Sequence, residues 1–207
     1  MFDYFDCKMV LNVPSAAERL RRTVNHLQQV GISDYTVFSA LPDETPHRSF
    51  NRSMNGILNA FLKTDKQRLL ILEDDVVFSD DAEGILKAAR LQLPTEWDIL
   101  YLGANLHVGG FKEPIRYSKN LARIYNAWTT HAIAFNRKCV KWLAYNQPQF
   151  HEGMFDGWLS DQLFHFNAFC ISPMIAYQHS GESLIWGNRV DYTPVFDESN
   201  KILLNLK

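Results

Sequence analysis

The segment Arg68-Leu69-Leu70-Ile71-Leu72-Glu73-Asp74-Asp75-Val76-Val77-Phe78 places three adjacent carboxylates inside an otherwise apolar run. A short apolar run bounded by polar residues is typical of a strand that is buried on both faces of a mostly parallel sheet. Carboxylates at the end of such a strand repel one another, and burial penalises the charged form of each. A bound cation would offset both costs. Since ligands of open α/β sheets bind at the carboxyl ends of the strands, the segment predicts a divalent metal at that edge.

Helix capping is the alternative explanation for acids that follow a strand. Asp80-Asp81-Ala82-Glu83 has the pattern of a capping box, with Asp80 as the N-cap and Glu83 three residues later. These acids therefore need no further function. The triplet at 73–75 comes too early in the chain to cap the same helix, so the metal interpretation applies to it.

The remaining pattern predicts alternating strands and helices. Residues 8–13 and 35–40 have the composition of strands, and a helix that ends at Gly31 separates them, with Ser15 and Glu18 as a second candidate capping box at its start. Such a β-α-β unit pairs its strands in parallel through a right-handed crossover. Further strands are predicted near residues 69–72, 97–103, 130–135 and 169–171. Helices are predicted after the first and third of these strands, and an irregular segment over residues 104–120 follows the second. The predicted fold class is α/β, with a central, mostly parallel sheet flanked by helices.

Composition narrows the choice of partners. The chain is 46% hydrophobic and 21% charged, as in ordinary soluble proteins, and we expect one domain over residues 1–207. Its net charge of -2 argues against nucleic acid as the main partner. Cys7, Cys139 and Cys170 form no C-x-x-C pair, so we expect reduced thiols rather than a disulfide framework or a structural zinc site. Because no segment reaches the length of a membrane span, the expectation is a soluble, cytoplasmic protein.

Two acids, Asp156 and Asp161, lie in a helix predicted over residues 156–166. Asp156 can be the N-cap of that helix, or a catalytic base that removes a proton from a reacting hydroxyl. Asp161 lies about a turn and a half further along and so faces another direction. Only one of the two is expected to reach a substrate, and the residues alone leave both interpretations of Asp156 open.

A second polar segment, Gln178-His179-Ser180-Gly181, follows an apolar stretch. A lone histidine is more often structural than a ligand, but Mn²⁺ accepts an imidazole beside carboxylate and phosphate oxygens. His179 is therefore a candidate metal or phosphate ligand. On the first helix, Arg19 and Arg22 share one face, where they could reach a phosphate or simply line a solvated surface.

Four segments, taken in their order along the chain, carry a resemblance to a known family. They are residues 10–13 followed by Arg19, Ile71-Leu72-Glu73-Asp74-Asp75-Val76, Trp97-Asp98-Ile99-Leu100-Tyr101-Leu102-Gly103 and residues 131–134. Together they resemble the lipooligosaccharide-type glycosyltransferases of family 25, over most of the chain from about residue 8 to residue 183. The combination of the acidic strand end with the later Trp-Asp-x-x-Tyr-Leu-Gly strand is the most specific part. The chain is compact for that family, which leaves the acceptor side reduced or supplied by another domain.

The resemblance implies a GT-A fold, a nucleoside-diphosphate sugar donor (most often a UDP-sugar), a glycan acceptor and a divalent metal, Mn²⁺ or Mg²⁺, bound by a D-x-D-like motif. In this sequence the motif falls on Glu73, Asp74 and Asp75. Asp75 is then the direct metal ligand, and Glu73 or Asp74 contacts the ribose or the sugar. The resemblance also favours Asp156 as the base of an inverting enzyme and His179 as a second metal ligand. The residues expected near the nucleotide, apart from these acids, are Asn12, Val13, Arg19, Ser39 and Ala40.

The predicted reaction moves a sugar from the nucleotide to a hydroxyl of the glycan acceptor, with Asp156, or failing that Asp161, as the base. Inversion at the anomeric carbon follows if either acid reaches the acceptor hydroxyl, and a retaining mechanism is favoured if neither does. A metal-dependent phosphohydrolase would also use clustered acids at a strand end. A non-catalytic module that binds nucleotide sugars or carbohydrates is the third hypothesis. The sequence contains no G-x-x-x-x-G-K-[ST], which argues against a P-loop nucleotidase.

Overall fold

The structure is a computed structural model that describes residues 2–106, 112–147, 153–183 and 187–207. The α-helices of these residues are α1 (Ala17–Gln29), α2 (Pro46–Leu62), α3 (Ala82–Gln92), α4 (Arg137–Asn146), α5 (Phe155–Gln162) and α6 (Thr193–Leu204). The strands are β1 (Cys7–Asn12), β2 (Thr36–Ser39), β3 (Arg68–Glu73), β4 (Val76–Phe78), β5 (Ile99–Tyr101), β6 (Ile115–Ser118), β7 (Leu121–Arg123), β8 (Ala132–Asn136), β9 (Ala168–Ile171), β10 (Ala176–Gln178), β11 (Gly181–Glu182) and β12 (Arg189–Val190).

Eight of these strands form one sheet in the order β2-β1-β3-β8-β5-β9-β7-β6. The first three strands in this order run parallel, β8 runs antiparallel between β3 and β5, and β5 and β9 run parallel again. β7 is antiparallel to both of its neighbours. All strands of the sheet except β7 and β8 therefore point the same way. The predicted α/β fold class, with a large, mostly parallel central sheet flanked by helices, is confirmed, and so is the parallel β-α-β unit at its start.

The central strands are buried on both faces, as the apolar run at 68–72 predicted. Along β3, Leu69 and Ile71 face a core that contains residues of α2, whereas Leu70 and Leu72 face a core that contains residues of α1 and α3. All four side chains are fully buried. Burying one such side chain stabilises a fold by roughly 1.5–3 kcal/mol, so this alternation fixes both the strand and its register. The end of the strand at Glu73 is fixed by the same packing.

Helix α1 ends where the sequence predicted, at a glycine. Gly31 has φ +78, a left-handed conformation that favours glycine. The Ile32 N–H donates to the Leu27 carbonyl at 2.8 Å, and the Gly31 N–H donates to the Gln28 carbonyl at 3.2 Å. This pair of hydrogen bonds is a Schellman motif, and the buried Ile32 and Leu27 share one core cluster. The motif turns the chain back into β2.

Both predicted capping boxes are wrong. Helix α3 has Asp81 rather than Asp80 as its N-cap, and Asp81 has φ -88 and ψ 7, which is not the extended conformation that aims a capping side chain at the helix. At α1 a 3₁₀ turn over Pro14–Ala16 makes Ala16 the N-cap, and Glu18 pairs instead with Arg21 at 2.7 Å. The described part of the chain shows no side-chain cap at either helix start.

None of the described helices is long and apolar enough to cross a membrane.

Candidate functional site

The acidic triplet lies at the carboxyl end of the central strand, as predicted. Glu73 closes β3, and Asp74 and Asp75 form the turn into β4. β4 pairs antiparallel with β10, so Gln178 lies opposite Val76, and the His179 N–H donates to the Asp75 carbonyl at 2.9 Å. The segment around residue 178 thus reaches the acids through strand pairing, although more than 100 residues separate them in sequence.

Helix α1 and the loop before it hold Asp74. Its Oδ1 lies 2.6 Å from Nη2 of Arg19, its Oδ2 accepts from the Val13 N–H at 3.3 Å, and its carbonyl accepts from the Thr23 hydroxyl at 2.6 Å. The same Arg19 nitrogen donates to Oδ2 of Asp75 at 2.9 Å. One guanidinium therefore contacts two neighbouring carboxylates, although its single charge cannot balance both, and both side-chain oxygens of Asp74 are engaged.

Burial makes the triplet electrostatically costly. It raises the pKa of Glu73 to about 8, with a further rise from the nearby Asp75 carboxylate, although the Thr130 hydroxyl hydrogen bond at 2.9 Å opposes the shift. Burial also raises the pKa of Asp74 to about 6 and raises the pKa of Asp75, and Arg19 opposes both shifts. Carboxyl groups with raised pKa values are the groups that an additional cation would stabilise as anions.

Asp156 is positioned by a strained loop. It lies in the first turn of α5, whose N-cap is Met154, so Asp156 is not the N-cap. Its Oδ2 accepts from the Thr129 N–H at 3.0 Å, and its Oδ1 accepts from the Gly157 N–H at 2.9 Å. Thr129 has φ 70, a left-handed conformation that costs a β-branched residue about 1–3 kcal/mol and that clusters at functional sites. The two hydrogen bonds fix the carboxylate and leave it lone pairs for a ligand.

Two adjoining cavities connect the acids. The first, of about 440 Å³, is lined by Val13, Arg19, the acidic triplet and His179, among others. The second, of about 200 Å³, is lined by Asp156 and Trp128, among others. The residues that line both cavities are Phe50, Glu73, Gln178, Ser183 and Tyr192. A ligand that fills the first cavity can therefore place its end next to Asp156.

The structure does not bring every predicted residue to these cavities. Asp161 is exposed and lies outside the described lining of both, which separates it from Asp156. Ser39 and Ala40, at the end of the edge strand β2, also lie outside the described lining of both cavities. So does the buried Asn12, whose carbonyl accepts from the Ala40 N–H at 2.8 Å. Of the residues predicted near the nucleotide, Val13 and Arg19 line the first cavity.

Sequence reasoning missed several lining residues. Thr129 and Thr130 precede β8, the strand inserted antiparallel next to β3, and Tyr192 precedes α6. Tyr192 lines both cavities together with Glu73, and burial raises the pKa of its phenol, with smaller contributions from Asp75 and Glu73. No local pattern marks these positions, because they reach the site only through the pairing and packing of distant segments.

The Trp-Asp-x-x-Tyr-Leu-Gly segment has a structural function. The Trp97 Nε1–H donates to the Tyr4 hydroxyl at 2.9 Å, and Oδ2 of Asp98 accepts from the Asn167 N–H at 2.9 Å. Gly103 packs so closely on β10 that a Cβ there would lie 1.8 Å from the Ala176 carbonyl oxygen. The segment therefore sets where β10, and with it Gln178, meets the acidic turn.

The acids leave one candidate ligand atom for a divalent metal. No group of three His, Cys, Asp or Glu side chains that could hold a metal is formed within the described ranges. Oδ1 of Asp75, however, is buried and has no hydrogen-bond partner among the described residues. Mg²⁺ and Mn²⁺ at nucleotide sites often use only one or two carboxylates, and phosphate and water oxygens complete the shell. Asp75, and the exposed His179 in the lining of the same cavity, are the residues here that could hold such an ion.

Comparisons with solved structures show the fold. The chain resembles A197 from STIV, with 16% identity, 84% of each chain covered and a TM-score of 0.56. More distant likenesses are the inositol-1-phosphate CTP transferase from T. maritima (13% identity, 98% of each chain, TM-score 0.49) and a glycosyltransferase involved in the glycosylation of the major capsid of PBCV-1 (12% identity, 77% of this chain and 74% of that one, TM-score 0.45). No family model and no curated protein sequence matches the chain. Membership of family 25 therefore stays a hypothesis from the sequence.

Proposed function

We propose that this protein is a metal-dependent glycosyltransferase that moves a sugar from a nucleoside diphosphate to a hydroxyl of a glycan acceptor, with inversion. The observation that carries the proposal is the pair of adjoining cavities. One holds the acidic triplet with its cationic side chains, the other holds Asp156, and Glu73 lies between them. This arrangement provides a place for a charged leaving group, a place for a base, and a shared space for the sugar.

The diphosphate would lie at the α1 end of the first cavity. Ser15, Ala16, Glu18, Arg19 and Arg22 line that end. In the described structure the N-terminus of α1 has no side-chain cap. Helix N-termini bind phosphate through their N–H groups and dipole, and arginine pairs with phosphate oxygens. Arg19, already held against Asp74 and Asp75, would connect the phosphates to the acids.

Asp75 and His179 would hold the metal ion, which neutralises negative charge on the departing diphosphate. Glu73, which lines both cavities, would face the transferred sugar. Asp156 would remove the proton from the acceptor hydroxyl as it attacks the anomeric carbon. Attack from the side opposite the diphosphate gives inversion.

Trp128 supports the assignment of the second cavity to the acceptor. Its backbone forms an isolated antiparallel bridge with Asn105, with N···O distances of 2.7 and 3.0 Å. The indole therefore sits on a fixed support beside Asp156 in the lining. Aromatic rings offer sugars an apolar face, and about 200 Å³ is enough for a single ring rather than an extended glycan.

The experiment that tests the proposal is a panel of nucleotide sugars in Mn²⁺, with slow donor hydrolysis and transfer to simple glycosides as readouts. Asp156→Asn is expected to bind the donor as wild type does and to lose transfer by about 100-fold or more. Asp161→Asn separates the two candidate bases because it changes an exposed acid on the same helix. Loss of transfer in Asp161→Asn but not in Asp156→Asn would reverse the assignment.

The same panel distinguishes the other functions. A phosphohydrolase would release phosphate from nucleotides without an acceptor, and a binding module would bind nucleotide sugars without turnover. Two-metal phosphohydrolases need acids or histidines from several strand ends. The described linings of the two cavities contain one acidic cluster at a strand end, at residues 73–75, which favours the transferase.

A further inference from the structure

Gln178 occupies the junction of the two cavities. It is the last residue of β10 and lines both the cavity with the acidic triplet and the cavity with Asp156. Strand pairing with Val76 fixes its backbone, and the adjacent His179 N–H is bonded to the Asp75 carbonyl. Its side chain therefore extends from a rigid element into the space that a transferred sugar would share with both cavities.

The orientation of the Gln178 amide follows from its neighbour. Its Nε2 donates to Oδ2 of Asp75 at 3.5 Å, a long hydrogen bond, and Arg19 donates to the same oxygen at 2.9 Å. A carboxylate that receives two donors acts as an acceptor, so the NH₂ end of the amide must face Asp75. The carbonyl end, Oε1, is left for another partner.

Oε1 of Gln178 is buried and accepts no hydrogen bond from any described residue. Buried polar atoms in folded proteins almost always have a partner, and one without a protein partner is completed by water or by a ligand. The missing partner must be a donor, since Oε1 only accepts. A sugar hydroxyl is a donor of the right kind at the right place.

We propose that Oε1 of Gln178 accepts a hydrogen bond from a hydroxyl of the donor sugar, and that the site takes a neutral sugar rather than a uronic acid. The inference rests on the proposed function and names its substrate class. The lining of the second cavity supports the second half: among the described residues it contains the acids Glu73 and Asp156 and no lysine or arginine, whereas Arg19 and Arg22 line only the first cavity. A sugar carboxylate would find an acid and no cation there.

The test compares each nucleotide sugar with its parent nucleotide. Binding of UDP, UDP-glucose, UDP-galactose, GDP and GDP-mannose is measured by calorimetry in Mn²⁺. The proteins are wild type, Gln178→Met, which keeps the length of the side chain without the amide, and Gln28→Met, which changes an exposed glutamine on α1 outside both cavities. UDP-glucuronic acid is added as the anionic sugar.

In Gln178→Met the affinity for the bound nucleotide sugar should fall about tenfold, while that for the parent nucleotide stays within about twofold. Gln28→Met should match wild type, and UDP-glucuronic acid should bind wild type about tenfold more weakly than UDP-glucose. Retained binding of the bare nucleotide also shows that the variant is folded.

An equal loss for nucleotide and nucleotide sugar, or no loss for either, would overturn the assignment of Gln178 and leave the proposed function standing. Preferred binding of UDP-glucuronic acid would overturn the neutral sugar. If wild type binds none of the nucleotides or nucleotide sugars, the proposed function fails and this inference fails with it.

Discussion

Nη2 of Arg19 donates to Oδ2 of Asp75 at 2.9 Å, and the same nitrogen lies 2.6 Å from Oδ1 of Asp74. The guanidinium thus supplies positive charge beside the carboxylate to which we assign the metal. Arg19 and a divalent ion would stabilise the same two acids, one from α1 and the other from the cavity. A bound divalent ion should therefore restore part of the folding stability that is lost when Arg19 is removed.

Replacing Arg19 by Gln should destabilise the metal-free protein. The side chains of Asp74 and Asp75 are only 5% and 13% exposed, so the loss of their cation leaves two buried carboxylates uncompensated. Removing one partner of a buried pair costs about 3–5 kcal/mol, and the 22% exposure of Arg19 reduces the expectation to about 2 kcal/mol. For a chain of this size that is a fall in Tm of roughly 5 °C in EDTA.

Arg22→Gln is the matched control, because Arg22 lies on the same helix with 59% of its side chain exposed. It should change Tm by about 1 °C or less. Mn²⁺ should recover part of the stability lost by Arg19→Gln. An Arg19→Gln protein as stable as wild type in EDTA would show that the guanidinium does not offset the repulsion.

Donor and metal together should stabilise the protein through Asp75. A ligand at 100 times its Kd adds about 2.7 kcal/mol, which corresponds to a rise in Tm of roughly 5–10 °C. Asp75→Asn keeps the size of the side chain but removes the charge, so UDP with Mn²⁺ should no longer raise Tm. Differential scanning fluorimetry measures both. An equal rise in wild type and Asp75→Asn would contradict the assignment of Asp75.

Local patterns predicted the elements well, because burial dictates them locally. The run at 69–72 is apolar at every position, and the structure buries it on both faces. The acids that follow it therefore lie where the central strand ends, at the carboxyl ends of the parallel strands. Gly31 predicted a helix end because few other residues accept the left-handed conformation found there. These inferences needed no knowledge of distant contacts.

Pairing between distant segments could not be predicted in the same way. The antiparallel insertion of β8 beside β3 brings Thr129 and Thr130 to the acids, and the β4–β10 pair brings Gln178. The hydrophobic periodicity of a segment predicts that it is a strand, but it does not predict which other strand pairs with it. The start of α5 is a further example. The helix begins at Phe155 rather than at the predicted residue 156, and its N-cap is Met154. Asp156 therefore lines the second cavity instead of capping the helix.

A buried histidine beside the site should make stability depend on pH. His131 is fully buried between the Phe196 ring and Thr129, and burial lowers its pKa to about 4 from the ordinary value of 6.5. Between pH 6.5 and pH 4 the unfolded chain binds a proton at His131 and the folded protein does not. The contribution of His131 to stability is therefore present above pH 6.5 and is lost as pH falls towards 4. From pH 7 to pH 5 the loss is about 2 kcal/mol.

The measurement is the free energy of unfolding in urea at pH 7 and pH 5 for wild type and His131→Asn. The acids with raised pKa values change stability in the opposite direction, so the difference between the two proteins isolates His131. Wild type should lose about 2 kcal/mol more than the variant over this range. The same pH dependence in both proteins would show that the pKa of His131 is the same in the folded and unfolded states.

The close approach of β10 to Gly103 predicts a sharp contrast between two glycines. A Cβ at residue 103 would lie 1.8 Å from the carbonyl oxygen and 2.8 Å from the carbonyl carbon of Ala176, and backbone atoms cannot move aside cheaply. Gly103→Ala should destabilise by about 3 kcal/mol, because β5 and β10 must separate. Gly84 lies within α3 with no atom within 4 Å of a built Cβ, so Gly84→Ala should stabilise by about 0.5–1 kcal/mol.

Urea unfolding of the two variants measures both effects. Because β10 carries Gln178, the Gly103→Ala protein that remains folded should also bind UDP-sugars more weakly than wild type, whereas Gly84→Ala should bind them equally. If Gly103→Ala proved as stable as wild type, the contact between β5 and β10 would have to be looser than the structure has it, and the placement of Gln178 at the acidic turn would lose its support.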